Sequence, residues 1–185
     1  MPNFTEKAIK ETFLKLLEER PLSQITIKDI VEECGINRNS FYYHFADLPT
    51  LIEEIVTEQI DTLIQEYPTI DSMEQCIDAA LAFALQHKRA CLHIYNSLNR
   101  EIFERYLMKE CEYVVTTYFR TVFPNINIKK EDQEIIIAYH KFICYGAIID
   151  WLNKGMQDDL KAAFLRLSEL GRGITAEMVS RSLEG

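Results

Sequence analysis

Apolar residues recur at helical spacing from the start of the chain. Ile9, Phe13, Leu16 and Leu17 follow the i, i+4, i+7, i+8 stripe of an amphipathic helix. Thr5 is placed to cap that helix and Pro21 to end it. The next stretch, TIKD at residues 26–29, reads as a capping box with Asp29 in place of the usual Glu. It opens a short helix, Ile27–Cys34, that turns Ile27, Ile30 and Val31 inward. Gly35 supplies a left-handed residue at its end, and Asn37 can cap the helix that follows. Helix, three-residue turn, helix is the spacing of a helix-turn-helix.

Past Pro49 the pattern lengthens. Leu51, Ile52, Ile55, Val56, Ile60, Leu63 and Ile64 mark a fourth helix that runs to Tyr67-Pro68, long enough to leave the head and enter a second domain. A fifth helix should start at Asp71 or Ser72 and close on the cations His87, Lys88 and Arg89. Further helices are expected near residues 90–98, 100–123, 130–154 and 158–170, and Thr175 is placed to cap a last short one. Pro124 to Asn127, Gly155 and the run Gly171-Arg172-Gly173 punctuate them. The fold class is all-α, with an amino-terminal three-helix head at residues 1–50 joined by the fourth helix to a helical domain at residues 51–185.

The second helix of the motif is polar for its size. Residues 36–45 read INRNSFYYHF. At 100° per residue Phe41 and Phe45 lie within about 40° of each other and form the buried side, with Ile36 from the turn. Asn39 and Tyr43 then point away from the core, Ser40 and Tyr42 flank them, and Arg38 and His44 stand at the margins. Solvated faces are usually filled with Lys and Glu, so adjacent tyrosines suggest another use. Such side chains suit a major groove: Arg38 for phosphate or guanine, Asn39 for base edges, Ser40 for either, and tyrosines for phosphates or thymine methyls. Thr26 and Lys28 at the start of the preceding helix complete the candidate DNA-binding set.

Charge limits how that binding can work. The chain has net charge −9, with −2 in residues 1–50 and −7 in residues 51–185. Neither part is the basic block of a non-specific nucleic-acid binder, so a few placed groups must make the contact. The five cysteines are widely spaced and lack a C-x-x-C pair, which reads as reduced thiols in a cytoplasmic protein. Small buried hydrophobes are the plain reading of them, and a redox-sensing thiol is the alternative. The opening residues lack the apolar core of a signal peptide, and His140, Lys141 and Asp150 interrupt the most apolar run, against a membrane span. No phosphate loop, dinucleotide fingerprint, nucleophile elbow or H-E-x-x-H occurs, so neither an enzyme nor a cofactor is expected. His87 and Cys91 stand at i, i+4 and could share a metal with His93 or His140. No third ligand falls at a recognisable spacing, and no metal is expected.

Residues 26–55, TIKDIVEECGINRNSFYYHFADLPTLIEEI, resemble the DNA-binding signature of the TetR family of bacterial regulators. The matching features are Thr26 at the helix start, small Cys34 before Gly35, the turn Gly35-Ile36-Asn37, the aromatic run from Phe41 to Phe45, Asp47 as the next cap, and Leu51. The resemblance implies a homodimer with two such heads and a carboxy-terminal ligand-binding domain. One departure stands out: Ala46-Asp47-Leu48-Pro49 has no cation where family members often hold a phosphate with lysine, so Lys28, Arg38 and helix amino termini must carry more of the backbone anchoring.

Two further sites are expected. The helix at residues 130–154 is apolar almost all round, so it needs cover on two sides. Either it is the centre of a monomeric bundle or, with the helix after it, it builds a two-fold interface through Ile148, Trp151, Leu152 and Phe164, a placement similar to the family's four-helix dimer bundle. Phe83, Phe103, Tyr106, Tyr113, His140 and Cys144 mix aromatic surface with a few polar tips, as ligand sites do, although any of them could be plain core. The expected function is a ligand-responsive transcriptional regulator, a repressor released from an inverted-repeat operator by a small apolar or aromatic molecule. The alternative is a co-activator of the same fold that works through a protein partner and binds DNA weakly.

Overall fold

A computed structural model describes residues 4–69, 71, 73–97 and 100–184. Among the described residues the fold is all-α, 82% helical with no strand. Among the described residues ten helices follow in order. They are α1 (Phe4–Glu19), α2 (Ile27–Cys34), α3 (Arg38–His44), α4 (Leu48–Glu66), α5 (Met73–Gln86), α6 (Lys88–Tyr95), α7 (Arg100–Val122), α8 (Lys130–Asn153), α9 (Leu160–Leu170) and α10 (Ile174–Glu184), with a 3-10 turn, Leu22–Gln24, after Pro21.

The chain gathers into two compact units, Met1–Gln59 with Phe83–Tyr106, and Ile60–Ala82 with Leu107–Gly185. In the first, Ile9, Phe13 and Leu17 of α1 meet Ile30 of α2, Phe41 of α3, Leu51 of α4 and, between the last two helices, Phe45, all essentially without solvent exposure. Seven large apolar side chains removed from water, at about 1.5–3 kcal/mol each, make this the firmest part of the unit. Helix α6 completes it: Ala90 and Ile94 join the same core, and Phe103 packs against it. Polar contacts fix α6 to α1, because His93 Nδ1 lies 2.6 Å from the Leu17 carbonyl and the Ala90 amide donates to Glu18 Oε1 at 3.4 Å.

Two clusters stand out among the described residues of the second unit. Leu63, Cys76 and Tyr118 form one, with Ile60, Tyr67 and Met73 around it, and the Tyr118 hydroxyl donates to the Tyr67 carbonyl at 2.7 Å. Phe119, Ile136 and Val179 form the other, flanked by Phe123, Ile126 and Ile128. On α8 only Ile136, Trp151 and Leu152 are buried. Ile135, Tyr139 and Phe142, at i, i+4 and i+7, leave a row of exposed apolar side chains, and Leu167 and Leu170 do the same on α9. Within one chain, therefore, a single side of α8 is covered. By length and composition α8 could also cross a membrane, the one such helix among the described residues.

Several boundaries differ from the sequence expectation for local reasons. Thr5 is already inside α1. Helix α5 ends at Gln86, and Lys88 and Arg89 open α6 instead of closing α5. Helix α9 starts at Leu160 rather than at residue 158, with Asp159 as its cap through a bond from the Ala162 amide. Thr175 does not cap α10, which starts at Ile174; its hydroxyl lies 2.7 Å from His140 Nε2 instead. The expectations at Ser72 and Leu98 lie outside the described residues.

Candidate nucleic-acid interface

Three side-chain caps set the helix-turn-helix. Thr26 and Asp29 form the full capping box of α2: the Asp29 amide donates to Thr26 Oγ1, and the Thr26 amide donates to Asp29 Oδ2 at 2.8 Å. The Thr26 hydroxyl adds a third bond to the same carboxylate, at 2.6 Å. These bonds, with Arg20 3.3 Å away, hold the Asp29 carboxyl below its ordinary value. Gly35 ends α2 at φ 67°, a left-handed conformation that strains any residue with a Cβ. Asn37 caps α3 by accepting from the Ser40 amide at 2.9 Å. Asp47 caps α4 in the same way, accepting from the Thr50 amide at 2.8 Å.

With its start fixed, α3 ends one residue before the Phe45 expected to close it. It stops at His44, and Phe45 follows in extended conformation while its ring stays buried. Phe41 and Phe45, 5.7 Å apart between ring centres, form the inner side as the angular argument requires. Outward stand Arg38 and Asn39, both exposed, with Tyr42 at 54% and Tyr43 at 83% exposure. Tyr42 rests edge-on against Phe41, and Tyr43 edge-on against His44, so the rings are oriented by neighbours rather than loose.

The other predicted DNA-binding residues are partly engaged. The Ser40 hydroxyl donates to Asn37 Oδ1, and the Thr26 hydroxyl is committed to its cap. Lys28 is exposed, with Glu32 at 3.6 Å. Among the described residues Arg38 and Asn39 hold no side-chain hydrogen bond or ion pair, so their donors face solvent.

One group beneath the face escapes sequence reading. Lys10 of α1 reaches Glu6 at 2.6 Å, Glu58 of α4 at 2.8 Å and Glu54 at 3.8 Å, and lies 5.8 Å from the centre of the Phe45 ring. Partial burial opposes its charge, but hydrogen bonds to Glu58 and Glu6 and the charges of those carboxylates together outweigh it and push its pKa up. The Glu6–Lys10 spacing is visible along α1, but the tie to α4 spans 48 residues and has no local signal.

The six predicted ligand-binding residues divide between the units: Phe83, Phe103 and Tyr106 in the first, Tyr113, His140 and Cys144 in the second. Phe83 lies tilted against His87, and Phe103 meets Tyr95 edge-on. Tyr113 is 42% exposed. His140 is held by Thr175, and burial lowers its pKa. Of the predicted interface residues, Ile148 and Phe164 are half-buried. Trp151 and Leu152 are instead buried within the chain, at 4% and 5% exposure, and the Trp151 Nε1 donates to the Asp158 carbonyl at 2.9 Å. An indole buried in its own chain, with its N–H already bonded to a carbonyl there, is not a surface contact. Among the described residues no group of three or more His, Cys, Asp or Glu side chains is placed to hold a metal.

Known proteins share both the sequence and the fold. Residues 11–55 match the family described as bacterial regulatory proteins, tetR family, and residues 71–173 match the family described as transcriptional regulator C-terminal region. The chain is 24% identical over 187 residues to the uncharacterized HTH-type transcriptional regulator YxbF of Bacillus subtilis (strain 168), a match over 92% of this chain and 45% of that protein. It is 41% identical over 64 residues to the HTH-type transcriptional regulator EthR of Mycobacterium tuberculosis, covering 32% of this chain and 29% of that one. The chain thus spans less than half the length of these curated relatives. A solved structure, the dihydroxyacetone kinase operon activator DhaS, superposes with a TM-score of 0.70 at 16% identity, over 96% of both chains. The helix-turn-helix geometry and the two matched regions place the chain in the TetR family of bacterial transcriptional regulators.

Proposed function

We propose that the chain is a ligand-responsive regulator that binds an operator through α3 and is released from it, as a repressor, by a small apolar or aromatic molecule. In this reading residues 1–50 bind DNA, and residues 51–185 bind the ligand and dimerise. One observation carries the DNA reading: Arg38, Asn39, Tyr42 and Tyr43 stand exposed on a helix capped at its start, with Phe41 and Phe45 anchoring it from below. Donors and rings on a rigid face fit base edges and phosphates. Thr26, Lys28, Ser40 and His44 lie around that face, and the helix amino termini supply further anion-binding amides.

One seven-residue helix reads few base pairs, so the operator is proposed as an inverted repeat bound by a homodimer. The exposed apolar row of α8, Ile135, Tyr139 and Phe142, and Leu167 and Leu170 of α9 supply the surface a second copy would cover, with half-buried Phe164 beside Leu167, while Ile148 lies on the far side of α8 from Tyr139. The same family membership and a DNA-facing role support a cytoplasmic location.

The experiment is a mobility-shift titration against DNA flanking the chain's own gene, or against selected random duplexes. Wild type should bind one inverted repeat, and Arg38→Ala, Asn39→Ala and Tyr42→Ala should each weaken binding by about 1–3 kcal/mol per half-site. Unchanged affinity in all three variants rules this helix out. A second reading keeps the fold and changes the sign: the missing cation at residues 46–49, and the naming of DhaS as an operon activator, favour a co-activator that binds DNA weakly and acts through a protein partner. Wild type that binds no duplex at physiological salt would favour this second reading.

A further inference from the structure

We propose that Cys111 and Cys144 form a thiol pair that hydrogen peroxide converts to an intramolecular disulfide joining α7 to α8.

The geometry rests on two neighbouring contacts between these helices. Lys141 of α8 donates to Glu112 of α7 at 2.7 Å, which fixes the register at this level. Cys144 lies three residues after Lys141, on the same face of α8, and Cys111 directly precedes Glu112. Within that register the two thiols meet in a side-chain hydrogen bond. The other cysteines are placed differently. Cys34 donates to Thr12 Oγ1 and faces Ala8, Cys91 faces the Ala84 carbonyl, and Cys76 bonds to Tyr118.

The two thiols are unequal. The Cys111 hydrogen bond lowers the pKa of Cys144, while Cys111, donating to it and buried, is pushed up. Cys144 is also the half-buried member and Cys111 the buried one. The reactive form is the thiolate, so Cys144 is the nucleophile and Cys111 the resolving thiol. In contrast, burial pushes Cys91 up to about 12, which leaves it almost wholly protonated and unreactive.

The chemistry balances with peroxide as the oxidant. The Cys144 thiol loses its proton to solvent, and its thiolate attacks one peroxide oxygen. An S–O bond forms, the O–O bond breaks, and hydroxide leaves to collect that proton as water. The Cys111 sulfur then attacks the Cys144 sulfur. The S–S bond forms, the S–O bond breaks, and the departing hydroxide takes the Cys111 proton as a second water. Two thiols are oxidised, one peroxide is reduced, and a dithiol can reverse the step. The sulfurs must close to a bond of about 2.05 Å, so oxidation draws the two helix surfaces together at this level. The exposed row of α8 is not involved, because Cys144 lies roughly 200° around the helix from Phe142.

The test uses the whole reduced chain and needs no DNA, so it stands or falls apart from operator binding. The chain is treated with hydrogen peroxide, remaining thiols are alkylated, and trypsin digestion without reduction is read by mass spectrometry. Cleavage after Arg120 and Lys130 puts the two cysteines on separate peptides. The expected result is one cross-linked pair, Cys111 with Cys144, that dithiothreitol removes. Cys111→Ser should stop at a sulfenic acid on Cys144 that dimedone captures, and Cys144→Ser should slow thiol loss about tenfold. Cross-links that involve Cys34, Cys76 or Cys91, links between two chains, or oxidation of Cys144 no faster than Cys91 in the wild-type chain would each overturn the proposal, whether or not the variants fold.

Discussion

Thr26 shows how much a single residue can determine here. Its hydroxyl and amide are both bonded to Asp29, and α2, which carries Ile30 and Val31 into the core, begins on that pair. Thr26→Ala should cost about 1 kcal/mol, the usual worth of such a cap. The midpoint of thermal unfolding should drop while Thr26→Ser stays close to wild type. Equal stability of Thr26→Ala and Thr26→Ser would show that the box does not hold α2. Residues of this kind were legible from sequence because caps depend on neighbours three positions away: Thr26 with Asp29, Gly35 at its left-handed φ, and Asn37 with Ser40 all stand where spacing put them. Lys10 was not legible, since its partner Glu58 comes from a different helix and no spacing rule links them. Lys28 belongs to a different test. As an exposed cation near the proposed interface, Lys28→Ala should weaken binding to all duplexes alike and lower the slope of affinity against salt by about one unit. A loss confined to one sequence would make it a base-reading residue instead.

Among the elements, α8 is where periodicity said most and settled least. Its continuous apolar composition pointed to cover on two sides, and its own unit covers only one. Composition alone could not say which apolar residues faced inward: Trp151 and Leu152 are buried within the chain and Phe142 stayed out. The same helix carries a titration that can be checked. Burial holds the pKa of His140 below its ordinary 6.5, and Thr175 Oγ1 sits at its Nε2. Between the folded and unfolded values the unfolded chain binds the extra proton and the folded chain does not. Stability is therefore fully present above about pH 6.5 and is lost as pH falls through the lower folded value. Thermal midpoints from pH 8 down to pH 5 should decline less in His140→Gln than in wild type. Parallel curves would mean that His140 does not contribute.

At the scale of the molecule, the helix count, the head and the long fourth helix were all readable, because each rests on local pattern and punctuation. Membership of Phe83–Tyr106 in the first unit was not, since it depends on Ala90 and Ile94 meeting α1 residues some eighty positions earlier. For the same reason the six residues proposed to line one ligand site separated into two groups. Assembly follows from surface rather than composition. Phe142→Glu on α8 and Leu167→Glu on α9 each alter an exposed apolar side chain, so both variants should fold and sediment as monomers where wild type sediments as a dimer. Trp151→Glu should instead lose the fold, because it puts a charge into a seat that is 4% exposed. A wild-type chain that is monomeric at micromolar concentration, or Phe142→Glu and Leu167→Glu chains that both remain dimeric, would refute the surface assignment.

The last prediction concerns how binding of a small molecule reaches the DNA face. Helix α4 is unbroken from Leu48 to Glu66, and its two ends belong to different cores. Leu51 and Ile52 are buried with Phe41 and Phe45 in the first unit, while Leu63 is buried with Cys76 and Tyr118 in the second. Lys10 adds a polar tie from α1 to Glu54 and Glu58, within the last turn and a half before the unit boundary at Gln59. A ligand that displaces residues 60–66 must therefore act on a helix whose other end supports α3. It can do so only by the difference in its affinity for the two arrangements, commonly about 1–3 kcal/mol in such couplings. Compounds found by thermal stabilisation, aromatic ones first, should weaken operator binding by about tenfold or more. Lys10→Met should then reduce that effect more than it reduces operator affinity without ligand, since it loosens the tie between α4 and the head and leaves the DNA-facing side chains in place. Stabilising compounds that leave operator affinity unchanged would disprove coupling through α4. A Lys10→Met chain that keeps the full ligand effect would leave α4 in the role and remove Lys10 from it.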